Sequence, residues 1–126
     1  MKVYQELANL IVARQNCIKS NNQEGIEKHE KKIDTIMESA PSGSGFDNGT
    51  KIDFNQSNSK CLLFFTSFHH MNENGYYTEW TEHYISIKPD LVFDIDIKIS
   101  GRDENQIKDY IHDTFSYWLN SEIKKD

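Results

Sequence analysis

Apolar residues recur every three or four positions at the start of the chain and every second position in its middle. Over residues 3–19, Val3, Leu7, Leu10, Ile11, Arg14 and Ile18 share one stripe, and the spacing predicts an amphipathic helix. SNNQ at 20–23 interrupts the pattern and places Asn21 or Asn22 to cap a second helix. That helix, over 22–38, aligns Ile26, His29, Ile33 and Ile36 or Met37. Its other face carries Glu24/Lys28 and Glu27/Lys31, acid first, at the spacing that supports a helix. The short link predicts antiparallel neighbours, a helical hairpin over 1–38. Pro41 stops the second helix, because it disfavours helical backbone at Ala40.

Residues 39–49 contain PSGSGFDNG, a loop without periodicity. From residue 50 the period becomes two. TKIDF at 50–54 and KCLLFFTSFHHM at about 60–71 read as strands, with NQSNS turning between them. Asn74-Gly75 predicts a two-residue reversal, since both central positions of a type I′ turn need positive φ. YYTEWTEHYISIK at 76–88 runs back, and Pro89-Asp90 turns the chain again. LVFDIDIKIS then alternates Leu91, Phe93, Ile95, Ile97 and Ile99 with Val92, Asp94, Asp96 and Lys98. Gly101 ends this strand. Asp103 with Gln106 resembles a capping box and opens a helix over 103–121, with Ile107, Tyr110, Ile111, Phe115 and Trp118 or Leu119 as its stripe. The expected fold is a single α+β domain, 1–126, in the order α-α-β-β-β-β-α. Its four-stranded antiparallel meander, over 50–100, has helices packed on the apolar face.

A reversal at Asn74-Gly75 also predicts a register: Phe64 opposite Ile85, Thr66 opposite His83, His69 opposite Trp80, and His70 opposite Glu79. His69 and His70 are neighbours on a regular strand and should point to opposite faces. They cannot share a metal unless a bulge intervenes. His70 and His83 lie about 13 Å apart along the ladder at roughly 3.3 Å per residue. His70 with Glu79 makes a cross-strand pair, but two ligands do not make a site. A metal centre would need His29, His112 or an acid from a helix, so no metal and no cofactor is expected.

The chain has 126 residues, 37% hydrophobic and 27% charged, enough for one domain that needs no metal or disulfide to fold. Its 14 basic and 20 acidic residues leave a net charge of −6, which argues against nucleic-acid phosphate as a partner and suits solubility or a basic partner. Cys17 and Cys61 give neither a disulfide framework nor a zinc signature, and read as buried thiols in a reducing compartment. The N-terminal residues lack a signal peptide's apolar run, and no segment is long and apolar enough to span a bilayer. A soluble, cytoplasmic protein is expected.

Candidate chemistry gathers in two places. The loop offers hydroxyls at Ser42 and Ser44, a carboxylate at Asp47, backbone N–H groups, and Phe46 as an anchor folding back onto the core. It lacks the lysine and trailing helix of a P-loop and the G-x-S-x-G of a nucleophile elbow. A plain helix-to-sheet connector is the favoured reading of it. His83 reads as a core-edge histidine, or as a proton-transfer group under a pocket roofed by this loop, with Glu79 or His70 nearby. Tyr76, Tyr77 and Trp80 beside the turn either stabilise the hairpin or serve as contact residues for a protein. Asp94 and Asp96 mark a solvated strand face.

The runs PSGSGFDNGTKIDF, FHHMNENGYYTEWTEH and ISGRDENQIKDYIHDTF resemble a group of small proteins encoded by bacteriophages, prophages and other mobile elements. The resemblance covers most of residues 40–115; the helical hairpin matches only in type. It implies a setting, an accessory protein in the cytoplasm of a bacterial host cell, where inhibitors of host defence are common. It carries over no catalytic residue. The leading expectation is a non-enzymatic module acting through protein contact, with Tyr76, Tyr77, Trp80 and the 42–47 loop as its surface. The alternative is a small-ligand or nucleotide-binding protein, or a small enzyme, with a pocket around His83, Ser44 and Asp47. Self-association, as in a virion component, stays open.

Overall fold

The computed structural model describes residues 1–43, 45, 46, 49–71, 77–88, 90–96 and 104–123, with the side chains at 68–71, 77–84, 96, 104, 106 and 107 outside the description. The elements follow the expected order: α1 (Val3–Lys19), α2 (Gln23–Met37), β1 (Thr50–Ile52), β2 (Leu62–Met71), β3 (Tyr77–Ile87), β4 (Phe93–Asp96) and α3 (Glu104–Leu119). The strands form one antiparallel sheet in the order β1-β2-β3-β4.

The α1–α2 turn uses its two asparagines differently. Asn21 takes the left-handed backbone, at φ 54°, that this residue type tolerates better than most. Asn22 caps α2 by accepting the Gly25 N–H at 3.0 Å. Gly25 lets the helices meet: a Cβ there would lie 2.6 Å from both Cys17 Sγ and Asn22 Nδ2. Gly25→Ala should therefore destabilise the protein, although alanine gains about 1 kcal/mol of helix propensity over glycine. Urea unfolding would check this, and adding Cys17→Ala should recover part of the loss.

Arg14 occupies a position on the apolar stripe of α1 and is buried, which the ion pair permits. Its Nε donates to Glu30 Oε1 of α2 at 2.8 Å and its Nη1 to the Phe54 carbonyl at 3.3 Å. The guanidinium also sits 5.0 Å from the Phe54 ring centre. One side chain thus ties both helices to the turn after β1.

That strand is shorter than TKIDF. Asp53 Oδ1 accepts the N–H groups of Asn55 and Gln56 at 3.0 and 3.2 Å, an Asx turn that bends the chain after Ile52. The fourth strand also starts later than its alternation suggests. Leu91 adopts φ 60° inside the turn, where Lys88 N–H meets the Val92 carbonyl at 3.1 Å. Positions 97–100 of the expected strand lie outside the described residues.

Alternate residues of the sheet meet all three helices in one core. Leu62, Phe64, Ile85 and Ile87 pack with Leu7, Ile11 and Ile33 of the hairpin and with Ile111, Phe115 and Leu119 of α3. Phe64 lies at its centre, its ring 5.9 Å from Phe115 and 5.7 Å from Trp118. Trp118 Nε1 donates to Ser39 Oγ at 2.9 Å, pinning α3 to the end of α2. On the intervening positions Leu63 and Phe65 are half-buried while Lys51 and Asp94 are exposed. The sheet is therefore layered with helices on one face.

A short bridge between Lys2 and Glu122 joins the two ends of the described chain. The Met1 ammonium pairs with Glu122 at 2.9 Å, and its hydrogen bond and charge hold that carboxyl below the ordinary range. Cys17 and Cys61 are free thiols and half-buried, less enclosed than expected. Among the described residues no helix is long and apolar enough to cross a membrane.

Candidate functional site

The loop before β1 is a strap built on its glycines. Gly43, at φ 71°, exchanges backbone hydrogen bonds with Phe46 at 3.2 and 2.9 Å. Gly49, at φ 72°, donates to the Phe46 carbonyl at 2.8 Å. These left-handed backbones suit glycine and turn Phe46 inward. Its ring, 1% exposed, stacks on Tyr110 at 6.0 Å and meets Phe115 edge-on at 6.1 Å. The expected anchor is present, but a buried ring offers no contact to a partner, so Phe46 leaves the list of binding residues. Ser42 is exposed; Ser44 and Asp47 lie outside the described residues.

Threonines clamp the strap to the sheet. Thr50 Oγ1 donates to the Pro41 carbonyl at 3.0 Å, and Thr66 Oγ1 donates to the Gly49 carbonyl at 3.1 Å. The two hydroxyls are 3.3 Å apart and buried, Thr66 at 1% exposure. Each hydroxyl has a carbonyl within reach of its one proton, Thr50 Oγ1 also lies within reach of Thr66 Oγ1, and among the described residues no base accepts from either. Thr50, Thr66 and His83 occupy one row across three strands, and the pairing of His83 with Thr66 is the expected one. The His83 side chain lies outside the description. The threonine clamp escaped the sequence reading; its only signal is a polar residue at a core-parity position, Thr66, within an apolar strand.

The register of the long hairpin corrects two pairings. From Leu62↔Ile87 to Phe68↔Thr81 it runs as the Asn-Gly position predicts. Beyond that it shifts: His70 pairs with Thr78 and Met71 with Tyr77. His69 thus stands against two residues, Glu79 and Trp80, which is a β-bulge in β3. His70 does not oppose Glu79, and Trp80 does not oppose His69 alone. A one-residue shift exchanges the faces on which a strand's residues pair, so β3 is re-phased on the hairpin side of the bulge. The Met71↔Tyr77 pair leaves an odd number of intervening residues, whereas a two-residue reversal at 74–75 needs an even number. The reversal itself, with Tyr76, lies outside the described residues, as do the side chains of His70, Tyr77, Glu79 and Trp80.

Among the described residues, the hairpin runs further than its neighbours. Strands β2 and β3 have 10 and 11 residues, against 3 for β1 and 4 for β4. Strand β1 reaches Thr66, and β4 reaches Tyr84. Among the described residues no third strand flanks 67–71 or 77–83, where the hairpin carries the bulge; positions 97–100, which by the β3–β4 register would follow opposite 83–80, lie outside them.

Elsewhere, His112 packs 4.4 Å from the Phe93 ring, with its Nδ1 3.4 Å from Asp113 Oδ1. His29 Nδ1 is buried without a hydrogen bond among the described groups. Cys61 Sγ meets Ser86 Oγ at 2.6 Å. Among the described residues no three histidine, cysteine or carboxylate groups come together as a metal site would require. Comparison of the chain with protein-family models, with curated proteins and with solved structures finds no match.

Proposed function

We propose that this chain is a non-enzymatic protein-binding module of a phage or mobile element, working through the β2–β3 hairpin and the exposed Ser42 side of the strap. The observation that carries the reading is the β3 bulge at Glu79 and Trp80, which falls among the aromatic and acidic residues near the hairpin's reversal. Bulges re-aim side chains near functional sites. Net charge −6 favours a basic partner. The mobile-element setting, the bacterial cytoplasm and inhibition of a host defence protein rest on the resemblance of the three sequence runs.

The joint variant Tyr77→Ala, Trp80→Ala should keep its circular dichroism and unfolding transition but lose capture of its partner from host-cell extract. Undiminished capture by a folded variant removes this surface from consideration. The placement of His83 opposite Thr66, beside the strap, supports the second reading, a ligand pocket there. In that case His83→Ala abolishes function at unchanged melting temperature, and native mass spectrometry of the purified protein shows a bound small molecule.

A further inference from the structure

The outer edge of β4 presents backbone groups in a pattern that the hairpin geometry dictates. Lys88 N–H bonded to the Val92 carbonyl fixes the alternation of the β3–β4 ladder. Ser86/Asp94 and Tyr84/Asp96 are then the hydrogen-bonded pairs, and Ile87/Phe93 and Ile85/Ile95 are the others. The N–H and C=O groups of Phe93 and Ile95 therefore face away from β3, and among the described residues β4 is the last strand in the sheet. Phe93 and Ile95 are half-buried against the core. Asp94, between them, is exposed, and Asp113 is exposed on α3 where His112 meets Phe93.

We infer that this edge takes an added strand from another protein, an extended segment with lysine or arginine at alternate positions. The backbone of Phe93 and Ile95 would supply the hydrogen bonds, and Asp94, on the face away from the helices, would select the charge. A second copy of this chain is disfavoured by the same arithmetic. In-phase antiparallel pairing about the strand's centre sets Asp94 against Asp94 of the copy, or Asp94 against its Asp96. Like charges directly opposite destabilise a pair, a device that protects edges from self-association. The proposal stands apart from the bulged hairpin and does not depend on it.

The test is amide hydrogen exchange of the full chain with a capped, extended peptide of alternating lysine and valine, beside its glutamate–valine counterpart. The Phe93 and Ile95 amides should exchange readily in the free protein and slow several-fold with the lysine peptide only. Asp94→Lys, at an exposed position, should exchange that preference for the glutamate peptide. Protection of both amides in the free protein, no protection by the lysine peptide, equal protection by both peptides, or an unchanged preference in the Asp94→Lys protein would each overturn the inference.

Discussion

Phe64→Ala should cost about 3–5 kcal/mol, the range for deleting a fully buried phenylalanine. The ring is wholly enclosed and touches Phe115 and Trp118 of α3, so its loss opens a cavity between sheet and helix. Domains of this size are stable by only about 5–15 kcal/mol, so the variant keeps little in reserve. Its melting temperature should fall by roughly 10–20 °C. Leu63→Ala, one residue away on the other face and half-buried, should cost about 1 kcal/mol. Equal losses at the two positions, measured by urea unfolding, would show that the faces of the sheet are assigned wrongly.

Arg14→Ala should cost about 2–3 kcal/mol. Removing one member of a fully buried ion pair costs about 3–5 kcal/mol because the other charge is stranded. The Glu30 side chain here is 34% exposed, so water recovers part of its solvation and the figure falls below that range. The Phe54 carbonyl also loses its donor. Arg14→Lys should fall between, since one ammonium cannot reproduce the guanidinium's two-pronged reach. A double-mutant cycle with Glu30→Gln should give a clear coupling energy. Strict additivity would mean that the pair contributes nothing beyond the packing of the arginine stem.

Much of the fold is legible because local and global preferences agree. The α1 stripe, the Asn22 cap, the three glycines around Phe46 and the strict alternation of the strands all point to the architecture found. The departures have local physical causes. Asp53 shortens β1 with its own carboxylate, and Leu91 gives up its strand position to a turn. The bulge leaves no mark in YYTEWTEHYISI: it brings no glycine and breaks no apolar pattern, since its residues are polar or aromatic on both parities. The Asn-Gly signal therefore places the first register and misses the second. Arg14 is visible as a charge on an apolar stripe, but its partners come from two distant segments that spacing cannot connect. The candidate surface is legible only as composition, aromatic and acidic residues near a turn, because the bulge that re-phases β3 there has no sequence mark.

Binding through the bulged end of the long hairpin is the claim on which the functional account turns. The most direct measurement places a photo-crosslinking residue at position 80 in cells that contain the partner, with position 117 as reference. Tyr117 is 83% exposed on α3, so it reports what accessibility alone would yield. The account predicts a discrete protein adduct from position 80 and none from 117. An adduct from 117 alone, or from neither site in a protein shown to be folded, contradicts it.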